Sequence, residues 1–260
     1  MTGASPALPR AGRFFVGAVI GAGTVILALS VVRLWTDQAY PEWLFLAGLA
    51  LLSGAFTIRV PAVPARISVS EVFVFTTVLL YGPSAATVVV ILDALSISFW
   101  LQRSRRSLVR IPFSLSASAL AIWISGQLYR GLLGEGVSAT EIPLDELLLP
   151  LLVLALGYFL LNSGLVAIAM AFERRVSVIS FWRANFLWLG LNYLSGASFA
   201  ALIVSYRQQF DLTMLSVIVP LLVITYLTFR TSLGRLEDAN RHVSQLNELY
   251  VSTIETPAMA

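Results

Sequence analysis

Two carboxylates interrupt otherwise apolar stretches of this 260-residue chain, Asp93 in "VVVILDALSISFW" and Glu71 in "RISVSEVFVF". A carboxylate within hydrocarbon is costly, so it must face a cavity, meet a cation or hold a proton, and each one marks a functional hypothesis. Asp93 falls near the middle of its apolar run, with Ser96 three residues on over the same helical face. Glu71 stands about 6 Å into its segment at the helical rise, shallow enough to reach interfacial water or Arg66. Further polar groups recur along other apolar stretches: Ser114, Ser118 and Ser125, then Tyr158 and Asn162, then Asn192 and Ser195. Gathered around Asp93, Ser118, Tyr158, Asn162 and Asn192 would line a pocket for a small polar or amphipathic ligand. Left apart, the same groups serve interhelical hydrogen bonding and close packing, the commoner use of such residues in membrane bundles.

Catalytic constellations are missing. With no cysteine and one histidine, His242, the chain offers no thiolate nucleophile, disulfide framework or histidine metal cluster. Phosphate-binding loops, dinucleotide fingerprints and zinc-protease helix motifs do not occur either. The expectation is a chain that is itself no enzyme and carries no cofactor or metal.

Composition explains what must position these residues. The chain is 58% hydrophobic and 12% charged, with a mean hydropathy of +0.84, well outside the range of soluble domains. Apolar stretches of about 20 residues predict membrane-spanning helices. They fall near residues 14–35, 43–58, 67–81, 85–101, 111–132, 148–172, 186–206 and 212–229. The expected fold is all-α, a polytopic bundle of about eight spans. "YGPSA" between the third and fourth, with Gly82 and Pro83, breaks any straight helix there, so six spans plus a re-entrant hairpin is the alternative.

All 17 basic residues are arginines, and all but Arg33, Arg130 and Arg207 fall on loops of one side if the N-terminus is cytoplasmic. Acidic residues dominate the other side: Asp37, Glu42, Glu135, Glu141, Asp145 and Glu146. This bias predicts cytoplasmic termini and accounts for a pI near 9.5 without nucleic acid as a partner. Trp35, Trp43, Trp100 and Trp182 fall where interfacial anchors are expected. "GAVIG", with Gly17 and Gly21 four apart, predicts a close-packing face on the first helix. The expected divisions are residues 1–13 as a cytoplasmic segment, 14–230 as the membrane domain and 231–260 as a cytoplasmic helical linker.

Beyond Arg230 hydropathy drops while helical character continues, with no proline until Pro257. Leu236, Val243 and Tyr250 at a positions with Ala239, Leu246 and Thr253 at d positions extend over about two and a half heptads, which predicts a short coiled coil and a homodimer, the alternative being a solvated amphipathic or lipid-surface helix. Such a helix would carry motion of the last span into a following domain.

"RHVSQLNELYVSTIETPAMA" resembles the segment that joins membrane modules to the HD-GYP phosphohydrolase domain of bacterial signalling proteins. "ISVSEVFVF", "LLYGPSAA" and "YFLLNSGLVAIA" resemble the multi-pass input modules of such proteins, of the membrane-associated sensor (MASE-like) kind. Pro257 departs from the family pattern, and neither the His-Asp pair nor the Gly-Tyr-Pro motif occurs. The resemblance implies a sensor of the bacterial inner membrane whose output, a metal-dependent cyclic-di-GMP phosphodiesterase domain, is absent from this chain. Its stimulus would be a small molecule or lipid. The alternative expectation is a small-molecule transporter or substrate-binding membrane component using Asp93 and its polar neighbours.

Overall fold

The computed structural model describes residues 9–36, 42–54, 58–59, 66–67, 70–101, 110–134, 137–140 and 142–205. Seven α-helices are described: α1 (Arg10–Thr36), α2 (Trp43–Gly54), α3 (Ser70–Leu101), α4 (Arg110–Leu133), α5 (Leu144–Arg174), α6 (Val178–Asn185) and α7 (Gly190–Ser205). A 3-10 turn at Leu187–Leu189 leads into α7, and two-residue strands occur at Ile58–Arg59 and Arg66–Ile67. The chain divides into two units, and all seven helices belong to the one built from residues 1–57 and 65–209.

Among the described residues five helices are long and apolar enough to cross a membrane by length and composition: Arg10–Thr36, Ser70–Ser96, which is kinked at Gly82, Arg110–Leu133, Leu144–Arg174 and Leu187–Ser205. The chain is thus a helical membrane protein, and the described residues do not confirm a count of about eight spans. α2 has 12 residues. At the helical rise that is ~18 Å, short of the ~30 Å hydrocarbon thickness. The expected span at 212–229 and the linker residues Leu236, Ala239, Val243, Leu246 and Tyr250 lie outside the described residues.

α3 is one helix only in name. At Gly82 the backbone takes φ 83° and ψ −179°, and Pro83 follows. Proline supplies no N–H and clashes with the preceding turn, while the positive φ suits glycine alone. The two arms fold back on each other, because the Ser70 hydroxyl donates to Asp93 Oδ2 at 2.8 Å across a separation of 23 residues. A straight helix would hold those residues ~34 Å apart. α3 is therefore a helical hairpin turning at "YGPSA", as both expected arrangements require, and Asp93 lies ~16 Å from its tip along the second arm.

This hairpin is the centre of the bundle. Of its apolar window 61% is buried, against 22% for α1. Val74, Phe75, Val78 and Val89 are buried, and α1, α2, α4 and α7 pack around the hairpin. Leu29, Val32, Leu149, Leu160, Leu191 and Leu202 point outward, as a lipid-facing surface requires.

Contacts sort the helix ends into two groups. Phe15 packs on Phe113 and Phe172, and Arg110 pairs with Glu173, so the start of α1, the start of α4 and the end of α5 share one end. Arg10, Arg13, Arg174 and Arg175 belong to those helix ends. Arg175 closes α5 in the left-handed conformation, its N–H bonded to the Ala171 carbonyl. At the opposite end the Tyr81 hydroxyl meets Glu42 at 3.2 Å, and the Arg130 guanidinium lies over Gly82.

Two packing expectations are corrected. Gly17 and Gly21 face open space, and Gly23 instead carries the close approach, with Ser116 of α4 where its Cβ would be. α1 is apolar on every side, so no stripe marks which glycine faces the bundle. Trp182 is turned inward, its ring tilted against Phe159 with centroids 5.6 Å apart and its indole N–H donating to Ser163 Oγ at 2.8 Å.

Gly82→Ala is expected to lower the thermal midpoint in nanodiscs sharply, since a Cβ there meets both a disfavoured φ of ~1–2 kcal/mol and the Arg130 side chain. Gly23→Val should destabilise in the same assay while Gly21→Val leaves the midpoint unchanged. Equal effects for the two glycines of α1 would contradict the described packing.

Candidate functional site

The first hairpin arm starts with Ser70, Glu71 and Val72, and the second carries Asp93 at the same level. Asp93 is 6% exposed. Its Oδ2 accepts from Ser70, and its Oδ1 is buried without a partner among the described residues. Glu71 Oε2 is in the same condition. Asn192 of α7 reaches the Glu71 side chain as a hydrogen-bond partner. Gly196, one turn further on, lets α7 come close, since a Cβ there would stand 3.1 Å from Glu71 Cβ. Neither carboxylate is paired with an arginine among the described residues.

Neutral polar groups complete the wall. Ser118 of α4 donates to Asn162 Oδ1 of α5 at 3.2 Å, and Asn162 Nδ2 donates to the Tyr193 hydroxyl of α7 at 3.1 Å. Ser118 also faces the Tyr158 hydroxyl. Tyr158 meets Tyr193 edge-on with centroids 5.3 Å apart, and Phe75 of the hairpin packs edge-on against Tyr158 at 5.7 Å. Glu71 and Asp93 are near enough to act electrostatically on each other and on both tyrosines. Four helices thus bring one polar centre together inside an apolar bundle.

Of the residues singled out in the sequence, Asp93, Glu71, Ser118, Tyr158, Asn162 and Asn192 meet here. Ser96 does not: its hydroxyl donates to the Asp93 backbone carbonyl at 3.0 Å and never reaches the carboxylate. Glu71 lies against the first two turns of α7, beside Asn192 and Gly196. Ser114 and Ser195 are exposed, and Ser125 is fully buried with its hydroxyl unpartnered. Ser70 and Tyr193 were not anticipated. Each is adjacent in sequence to a chosen residue, Glu71 and Asn192, and a hydroxyl inside an apolar run was the available signal.

Two carboxylates with free oxygens, walled by neutral hydroxyls and amides, form a hard oxygen-rich environment. Among the described residues no three His, Cys, Asp or Glu side chains gather. Charge balance in such a setting calls for a proton, a monovalent cation or a ligand ammonium group. No protein-family model, curated protein or solved structure matches the chain.

Tyr193→Phe should leave the Asn162 amide without its acceptor and cost about 0.5–2 kcal/mol in the membrane. Ser195→Ala, on the exposed side of the same helix, should cost nothing measurable. Thermal unfolding of both variants in one detergent checks the contrast.

Proposed function

We propose that this chain is a multi-pass membrane input module in which the Glu71/Asp93 centre is the responsive element. The observation that carries this reading is the hairpin closure by Ser70 and Asp93, which concentrates two unpaired carboxylates among helices that also hold the bundle together. A cation or ligand ammonium group entering the centre, or a proton taken up there, removes their mutual repulsion and changes how tightly the hairpin arm packs on α7. The module is then a sensor, and it would pass this change through residues 206–230 into the segment carrying Leu236, Ala239, Val243, Leu246 and Tyr250. The resemblance of that segment to HD-GYP linkers supports a cytoplasmic cyclic-di-GMP phosphodiesterase domain as the output and a homodimer as the working unit. The arginine distribution supports insertion in a bacterial inner membrane with both termini in the cytoplasm.

A second reading, a transporter or substrate-binding component, draws on the half-length α2 and the short first hairpin arm, since discontinuous helices that end at polar midplane sites are common in transporters.

The test uses the chain in nanodiscs, titrated with sodium, potassium or ammonium chloride at constant ionic strength and separately with acid. Amide hydrogen exchange is expected to change across residues 70–101 and 231–260 under at least one condition. Glu71→Gln with Asp93→Asn should abolish that change. Indistinguishable exchange in wild type and variant under every condition counts against the sensor reading. Cation-driven uptake into proteoliposomes that disappears with Asp93→Asn would favour transport. A genomic reading frame running past Ala260 into His-Asp and Gly-Tyr-Pro motifs would support the output domain, and a stop codon there would count against it.

A further inference from the structure

Two of the three arginines that break the charge bias, Arg33 and Arg130, line one cleft of about 910 Å³ at the tip end of the hairpin. They come from the last turns of different helices, α1 and α4. Neither guanidinium has an ion-pair partner among the described residues. Two like charges converging on one cavity repel unless something anionic lies between them.

The cleft also contains donors that the fold leaves unused. Tyr129 is 2% exposed, and its hydroxyl is buried with no partner among the described residues while its side chain lines the cleft. Gln127 contributes an amide from the same helix. An unpaired buried hydroxyl costs about 1–3 kcal/mol, which a bound acceptor would recover. The volume lies within the range of small-molecule sites and exceeds what a bare inorganic ion fills. Leu79, Leu133 and Val137 line the remainder, room for an apolar or neutral portion.

We propose that this cleft binds a ligand carrying a phosphate group, held by the Arg33 and Arg130 forks with the Tyr129 hydroxyl and Gln127 amide. Donors approaching from two helices outnumber what one carboxylate accepts at once, whereas phosphate oxygens accept from several directions and match guanidinium geometry. The phosphate belongs either to a soluble metabolite or to a lipid headgroup, and the same four side chains serve both. The site stands apart from the Glu71/Asp93 centre and does not rest on its role. Arg130 lies over Gly82, so the bound phosphate would sit beside the turn that joins the hairpin arms.

The test compares two sources of phosphate. The chain in phosphatidylcholine nanodiscs is titrated with glycerol 3-phosphate, and the chain from phosphatidylglycerol nanodiscs is examined by native mass spectrometry for retained lipid. Saturable glycerol 3-phosphate binding assigns the soluble source, and retained phosphatidylglycerol assigns the lipid. In either case Arg33→Gln and Tyr129→Phe should weaken binding about tenfold or more, while Arg183→Gln, on α6, leaves it unchanged. Arg33 is exposed and packs on little, so its variant remains informative if Arg130→Gln disturbs the hairpin turn. Absence of both binding modes, or equal loss in Arg183→Gln, overturns the proposal.

Discussion

The hydrogen bond between Ser70 and Asp93 sets the geometry on which everything else depends. It joins the bottoms of two arms whose tops are joined by Gly82 and Pro83, and so makes a closed element from a stretch that composition alone would read as membrane-crossing. Because the hairpin occupies the middle of the bundle, its polar face cannot turn to water. Asn192, Tyr193, Asn162, Tyr158 and Ser118 face it instead, from α4, α5 and α7. The polar centre and the packing of the bundle are one arrangement.

Small residues decide how close that arrangement becomes. Gly196 admits Glu71, Gly126 receives Pro83 at 2.9 Å from where its Cβ would be, and Gly23 lets α1 lie against Ser116. Each replaces side-chain volume with backbone proximity, the usual means of helix association where lipid and side chain are equally apolar. Tilted and edge-on aromatic pairs around Phe159, Tyr158 and Tyr193 fill the wider gaps between α5 and α7.

Much of this was legible in the residues. Glycine followed by proline announces a break whatever surrounds it, and carboxylates, asparagines and tyrosines within apolar runs announce a polar interior. Those signals located the hairpin and most of the polar centre. What could not be read was phase and depth. An all-apolar helix such as α1 carries no stripe, so Gly17 and Gly21 looked as eligible as Gly23. The partners of Glu71 were hidden as well, because the fold-back and the close approach at Gly196 decide which helix meets it. Ser96 shares the face of Asp93 yet spends its hydroxyl on the backbone one turn back, a local competition that spacing does not reveal. The described residues do not confirm the span count of about eight, because α2 has 12 residues and the stretch 212–229 lies outside them.

α5 has a property that bears on its surroundings. Its 31 residues extend ~46 Å, about half as long again as the hydrocarbon it crosses. A rod of that size in a thinner slab must lean or project at its ends, and the angle follows the thickness of the slab. Tyr158 and Asn162 are fixed near the middle of that rod, so stretching or thinning the bilayer would pivot them against Tyr193 and the hairpin. The composition of the host membrane is thereby written into the shape of the polar centre.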